Sequence, residues 1–162
     1  MADTLVLVRG LPGSGKTTFA IHRMQGDAYT SADSYFEDED GAYKFDGSKL
    51  PEAHEWCQRR VAELLQKPDV GTVYVANTFS TRWEMQPYFD IVENYPDDDH
   101  YIEIFVVDLF DGGLTNEMLA RRGRHNVPLH TIEKMRNRWE HEWSTASKVK
   151  PAKRRRDEPR NR

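Results

Sequence analysis

The chain has 162 residues, with 23 Lys and Arg against 27 Asp and Glu, for a formal net charge of -4. That length suits one domain, a parallel sheet with its covering helices, and leaves little for a second folded module. No apolar stretch approaches the ~20 residues that cross a bilayer, and the N-terminus runs into an apolar strand without a signal-peptide pattern, so a soluble, intracellular (cytoplasmic) protein is expected.

The first predicted strand, residues 4–9, carries Leu5-Val6-Leu7-Val8 and leads into Gly10-Leu11-Pro12-Gly13-Ser14-Gly15-Lys16-Thr17. This run is a complete GxxxxGK[ST] phosphate-binding loop between a strand and a helix predicted over 16–24. Glycines let successive amides approach phosphate oxygens, and the following helix adds unpaired N–H groups and the positive end of its dipole. The expected ligand is a nucleoside triphosphate, held by Gly10, Leu11, Pro12, Gly13, Ser14, Gly15, Lys16, Thr17 and Thr18. Lys16 should bridge the β- and γ-phosphates, and the Thr17 hydroxyl should take one position on Mg²⁺.

A second strand is predicted at 28–31, followed by Ala32-Asp33. In open α/β sheets ligands sit beyond the carboxyl ends of the strands, so Asp33 is placed to accept a hydroxyl proton beside the γ-phosphate, an effect typically worth about two to four orders of magnitude; the alternative is an Asp that caps a turn. Residues 35–47 are acidic and aromatic, with Gly41 and Gly47 and no clean period. They read as a surface loop of the kind that covers a binding site. A helix over 51–66 follows, with Pro51 in its first turn and Cys57, the only cysteine, as a structural thiol.

The third strand, 72–76, is closed by Asn77 and Thr78, where many P-loop enzymes put an acidic residue that holds Mg²⁺ through water. Asn77 is a neutral substitute there, and Asp108, after a fourth strand at 101–107, is another candidate carboxylate. Helices are predicted at 83–94, 115–121 and 129–143. Between the last two, Arg121-Arg122-Gly123-Arg124-His125 gathers three guanidinium groups on a connector. That is the composition of a lid that closes over a triphosphate, or of a solvated charge run. Trp56, Trp83, Trp139 and Trp143 read as core or surface anchors.

Strands alternating with helices give an α/β domain, a parallel sheet flanked by helices, over 1–147. Residues 148–162 hold eight Lys/Arg and two Asp/Glu, a net of +6, so the rest sums to -10. This arm is expected to be disordered. It can contact nucleic acid phosphates, serve as a nuclear address, or merely solubilise.

Beyond the loop, Ser31-Ala32-Asp33-Ser34-Tyr35-Phe36, Tyr43-Lys44-Phe45-Asp46 with Leu50-Pro51-Glu52-Ala53-His54, Val75-Ala76-Asn77-Thr78, and Arg122-Gly123 with Val127-Pro128 resemble the P-loop polynucleotide kinases of the phage type and related small AAA-annotated kinases. The resemblance implies a P-loop kinase fold, ATP as donor, Asp33 as general base and Arg122 as the lid's catalytic arginine. Two positions depart from it. The phage kinases carry a phosphate-gripping arginine three residues after the base, where this chain has Phe36, and their third strand ends in Asp-Thr rather than Asn77-Thr78. Three functions follow: a kinase for the 5′-hydroxyl of a polynucleotide, a kinase for a small acceptor such as a nucleoside, nucleotide or sugar nucleotide, and a nucleotide-binding adaptor with little turnover. Oligomeric state is not legible.

Overall fold

The computed structural model describes residues 2–24 and 27–142; Trp143 and the basic arm expected at 148–162 lie outside the described residues. Four parallel strands, β1 (Thr4–Gly10), β2 (Ala28–Thr30), β3 (Thr72–Asn77) and β4 (Glu103–Phe110), form one sheet in the order β2-β3-β1-β4. Among the described residues five α-helices accompany them: α1 (Lys16–Arg23), α2 (Leu50–Leu65), α3 (Arg82–Glu93), α4 (Asn116–Arg122) and α5 (Leu129–Asn137). Among the described residues no helix is long and apolar enough to cross a membrane.

The period of two in β1 divides the core between the faces of the sheet. Leu5 and Leu7 point to one side, where they pack with Val73 and Val75, with Ala53, Cys57, Val61 and Leu64 of α2, and with Met85 and Tyr88 of α3. Val6 and Val8 point to the other, with Ala20 of α1 and Ala76. A third cluster lies beyond the strand ends, where Leu11 of the phosphate loop meets Leu119 of α4, Ile132 of α5 and Trp139. The lid helices are thus packed directly on the loop.

Arg9 continues the Leu5, Leu7 face and is completely buried. It sits in register with Asn77 on one side and Asp108 on the other. Its Nε donates to Phe79 O (2.9 Å), Nη2 to Ser80 O (3.0 Å), and Nη1 to both Glu140 O and Asp108 Oδ2 (2.9 Å each). The guanidinium also lies 4.2 Å from the centre of the Trp139 ring. Burial lowers the Arg9 pKa and the adjacent Asp108 opposes the shift. Each of the three nitrogens of the fork donates, in four bonds, so an arginine in the core is accommodated.

This hub accounts for several departures from the sequence reading. The fourth strand runs to Phe110 instead of ending at 107, because its pairing with β1 continues past Arg9↔Asp108, through a one-residue register shift, to Gly10↔Phe110; Asp108 is therefore inside the strand. The last helix stops at Asn137 rather than 143. Past its end the chain turns back to the sheet, where Glu140 N donates to Ser80 O (2.8 Å) and Arg9 takes the Glu140 carbonyl. The second strand ends one residue early, since Ser31 caps a 3-10 helix over Ala32–Phe36 and accepts from Ser34 N at 3.3 Å.

Candidate active site

The phosphate loop hangs between two neighbouring strand ends. Gly10 N donates to Thr78 O (3.2 Å) and Leu11 N to Phe110 O (2.8 Å). Phe79 (φ 49°) and Phe110 (φ 48°), beside or at these acceptors, hold the left-handed conformation that a bulky residue rarely adopts. Such strain, of order 1–3 kcal/mol each, persists only where the surroundings enforce it. Here the bond from Arg9 to Phe79 O and the packing of Phe110 on Trp139 do so.

Gly13 has φ +81°, and a Cβ there would run into the backbone carbonyl of Leu119 in α4. Gly15, at φ 95°, is the left-handed N-cap of α1. Among the described residues the amides of Gly10, Leu11 and Ser14 bond to protein carbonyls, whereas those of Gly13, Gly15, Lys16, Thr17 and Thr18 do not. α1 has no side-chain cap and no acidic residue in its first turn. A row of unspent donors ending at a helix N-terminus fits a polyphosphate. Leu11 has a different task from its neighbours: its amide is taken and its side chain is the buried knob on which the lid packs.

Lys16 is half-buried. Burial lowers its pKa below the ordinary lysine value, and the negative charge of Asp33 opposes the shift. The Thr17 hydroxyl lies 3.5 Å from the Tyr29 hydroxyl.

Asp33 stands on the first turn of the 3-10 helix after β2. That helix is held from beneath by Asn77, whose Oδ1 accepts from Ala32 N at 2.8 Å. The Asn77 amide nitrogen points to Tyr88 Oη (3.4 Å) and Cys57 Sγ (3.8 Å), inside the core. Asn77 therefore sets the height of the Asp33 turn, and Asp108 is committed to Arg9. The sequence placed both residues at the correct end of the sheet, but a position in a run does not say which partner a side chain takes.

The Asp33 side chain is 45% exposed and open to an acceptor. The Tyr43 hydroxyl donates to its Oδ1 at 3.3 Å, and His125 Nε2 lies 3.6 Å from Oδ2. Burial raises the Tyr43 pKa, and the nearby Asp33 charge raises it further, so the phenol stays a donor. The loop expected over 35–47 is a small hairpin at this point. Glu37 and Tyr43 form an antiparallel bridge, and Asp38 Oδ1 accepts from Asp40 N and Ala42 N in the turn. Phe36 is buried and packs edge-on to Tyr35, Tyr43 and Phe45. Tyr43 and His125 carry no sequence motif for this contact. Aromatic enrichment of the loop was the one available signal.

On the lid, Arg122 closes α4 and Arg121 precedes it; both are exposed, as is Arg124, and none of the three has a partner among the described residues. α5 is fixed to the base of α4 by Arg136, which donates to Asp111 Oδ2, Asn116 Oδ1 and Leu114 O at 2.7–2.9 Å. The arginine cluster thus rides on an anchored helix pair.

A parallel sheet with this strand order, a phosphate loop after β1 and a helical lid on that loop is the P-loop kinase fold. Solved structures of the Pnkp1/Rnl/Hen1 complex share it: one, of the RNA repair complex, at a TM-score of 0.56 with 20% identity, over 85% of this chain and 44% of that chain, and another at 0.50 with 22% identity, over 75% and 39%. Within this fold the chain belongs to the AAA domain family AAA_33, whose model matches residues 5–141. Human NEDD4-binding protein 2 is 36% identical over 135 residues, which is 81% of this chain and 7% of that protein. The chain therefore spans a small fraction of the length of that relative.

Proposed function

We propose that this domain is an ATP-dependent phosphotransferase acting on a hydroxyl of a polynucleotide, its 5′ end. The observation that carries the reading is a shared position: an anion-ready loop with its Lys16 after β1 and, at the same end of the sheet, the partly exposed carboxylate of Asp33 on the turn after β2.

In the proposed reaction the amides of Gly13 and of Gly15 through Thr18 receive the phosphates, and Lys16 neutralises charge between β and γ. Thr17 would hold Mg²⁺, which when bound lends further positive charge to the β- and γ-oxygens. The acceptor hydroxyl donates its proton to Asp33 as its oxygen attacks the γ-phosphorus. The bond from γ-phosphorus to the β–γ bridging oxygen breaks, and ADP leaves. Arg122, unpaired and set on the lid, is suited to balance charge spreading over the transferring oxygens. The whole arrangement supplies position and electrostatics, which is what phosphoryl transfer asks of a protein.

A small-molecule acceptor is the second reading. It is favoured by Phe36, a buried phenyl ring at the place where the phage-type kinases carry their phosphate-gripping arginine. The deciding experiment incubates the protein with Mg²⁺ and γ-labelled ATP against 5′-hydroxyl DNA, 5′-hydroxyl RNA and free nucleosides. Label on an oligonucleotide, absent in Lys16→Ala, supports the first reading. Transfer to monomers alone replaces it with the second, and bound ATP with no transfer to any acceptor leaves a nucleotide-binding adaptor.

A further inference from the structure

One of the two side chains against the candidate base belongs to the lid. His125 lies in the α4–α5 connector, next to Asn126, whose φ of 52° marks a tight reversal. Its imidazole stacks on Tyr43 with ring centres 3.8 Å apart and planes 25° apart, while Nε2 is 3.6 Å from Asp33 Oδ2. Tyr43 holds the other carboxylate oxygen. Both oxygens of Asp33 thus have protein neighbours, and an acceptor hydroxyl approaching Oδ2 along the Tyr43 face meets His125.

The displaced group has a telling shape. It is a flat, nitrogen-containing aromatic ring stacked on a tyrosine, with a polar atom turned toward the base. Tyr43 continues into a wider apolar wall, since Phe45 lies nearly parallel to it, 13° between planes and 6.2 Å between centres, and is 55% exposed. Phe36 supports both rings from the core side. Bases stack on such walls without regard to sequence.

We propose that the face of Tyr43 covered by His125 is the seat of the acceptor's terminal nucleobase, with His125 standing in its place until the acceptor arrives. This rests on the polynucleotide reading above and deepens it. The acceptor is gripped by its first base, through Tyr43 and the adjoining Phe45, in place of an arginine on its phosphate. The end must then be unpaired, and the identity of the base matters little. His125 gives way when the base enters, so acceptor entry frees the carboxylate and moves the connector that follows Arg122.

The test uses the full chain and a 5′-hydroxyl oligonucleotide ending in 2-aminopurine, whose fluorescence is quenched on stacking, in the presence of a non-hydrolysable ATP analogue. The wild type should quench it, Tyr43→Phe should retain the quenching, Tyr43→Leu should lose it, and His125→Ala should tighten binding. In the kinase assay, an abasic 5′-terminal nucleotide should raise KM about tenfold, in the range of one lost base stack, and Tyr43→Leu should erase the difference. Transfer to oligonucleotides without quenching, or with equal KM for abasic and base-bearing ends, overturns the platform and leaves the polynucleotide reading standing. Quenching without transfer keeps the platform and removes the kinase. Absence of both quenching and oligonucleotide binding overturns the platform.

Discussion

Replacing Arg9 by methionine tests how the phosphate loop is held. The substitution removes one donor from the carbonyls of Phe79, Ser80 and Glu140 and from the Asp108 carboxylate, while Ser80 O keeps its bond from Glu140 N. Asp108 keeps 32% of its side-chain surface in water and can rehydrate, so the carbonyls dominate the loss. A buried polar group left unpaired costs roughly 1–3 kcal/mol, and apolar burial of the new side chain offsets part of the sum. The expected net is about 3 kcal/mol, the low end for a broken buried ion pair. In a chain of this size that lowers Tm by roughly 6–12 °C. Asp108→Asn, which spares the three carbonyl bonds, should lose only about 1 kcal/mol. Urea unfolding of the three proteins measures these values, and ATP titration should show weaker binding for Arg9→Met, because Phe79 and Phe110 are released to relax. The reasoning is refuted if Arg9→Met stays within 1 kcal/mol of wild type, or if Asp108→Asn is as damaging.

Other consequences are equally specific. Gly13→Ala puts a Cβ at positive φ against the Leu119 carbonyl; ATP binding measured by calorimetry should be lost while far-UV circular dichroism is retained. Asn77→Ala removes the acceptor for Ala32 N, so kcat should fall by about tenfold or more as the Asp33 turn loosens, with ATP affinity preserved; a change confined to ATP affinity would contradict the assignment. At alkaline pH, Tyr43, Tyr88 and Cys57 have pKa values raised by burial. Their unfolded forms lose protons first, so their contribution is complete below the unfolded values, near 8.5 for Cys and 10 for Tyr, and is lost as pH rises toward the folded ones. Chemical denaturation at pH 8 and pH 10.5 should show falling stability, less steeply in Tyr88→Phe.

Much of the site was legible because its chemistry is local. The loop needs Gly13 and Gly15 for torsions and Lys16 for charge, and these occur in one run of sequence. Asp33 stood out as a candidate because the residues just after a parallel strand lie at the ligand end of the sheet. Partner choice was not legible. Arg9 follows Leu5 and Leu7 at spacing two, which puts it on a core face, but only the pairing of β1 with β4 reveals Asp108 as its partner. The helix predicted over 129–143 ends at Asn137, and the carbonyl of Glu140 is drawn to Arg9 at the sheet. Leu11 reads as a loop residue and acts as the lid's anchor, a packing role that the phosphate-loop pattern does not encode. His125 and Tyr43 meet across 82 positions, and no period or motif joins them.

The central claim is that the phosphate loop and Asp33 form a single phosphoryl-transfer site. Single-turnover transfer from γ-labelled ATP to a 5′-hydroxyl oligonucleotide by Asp33→Asn, with ATP affinity measured on the same protein, addresses it directly. The account predicts a loss of transfer rate of about 100-fold or more with ATP binding unchanged. Transfer at the wild-type rate by Asp33→Asn would contradict it.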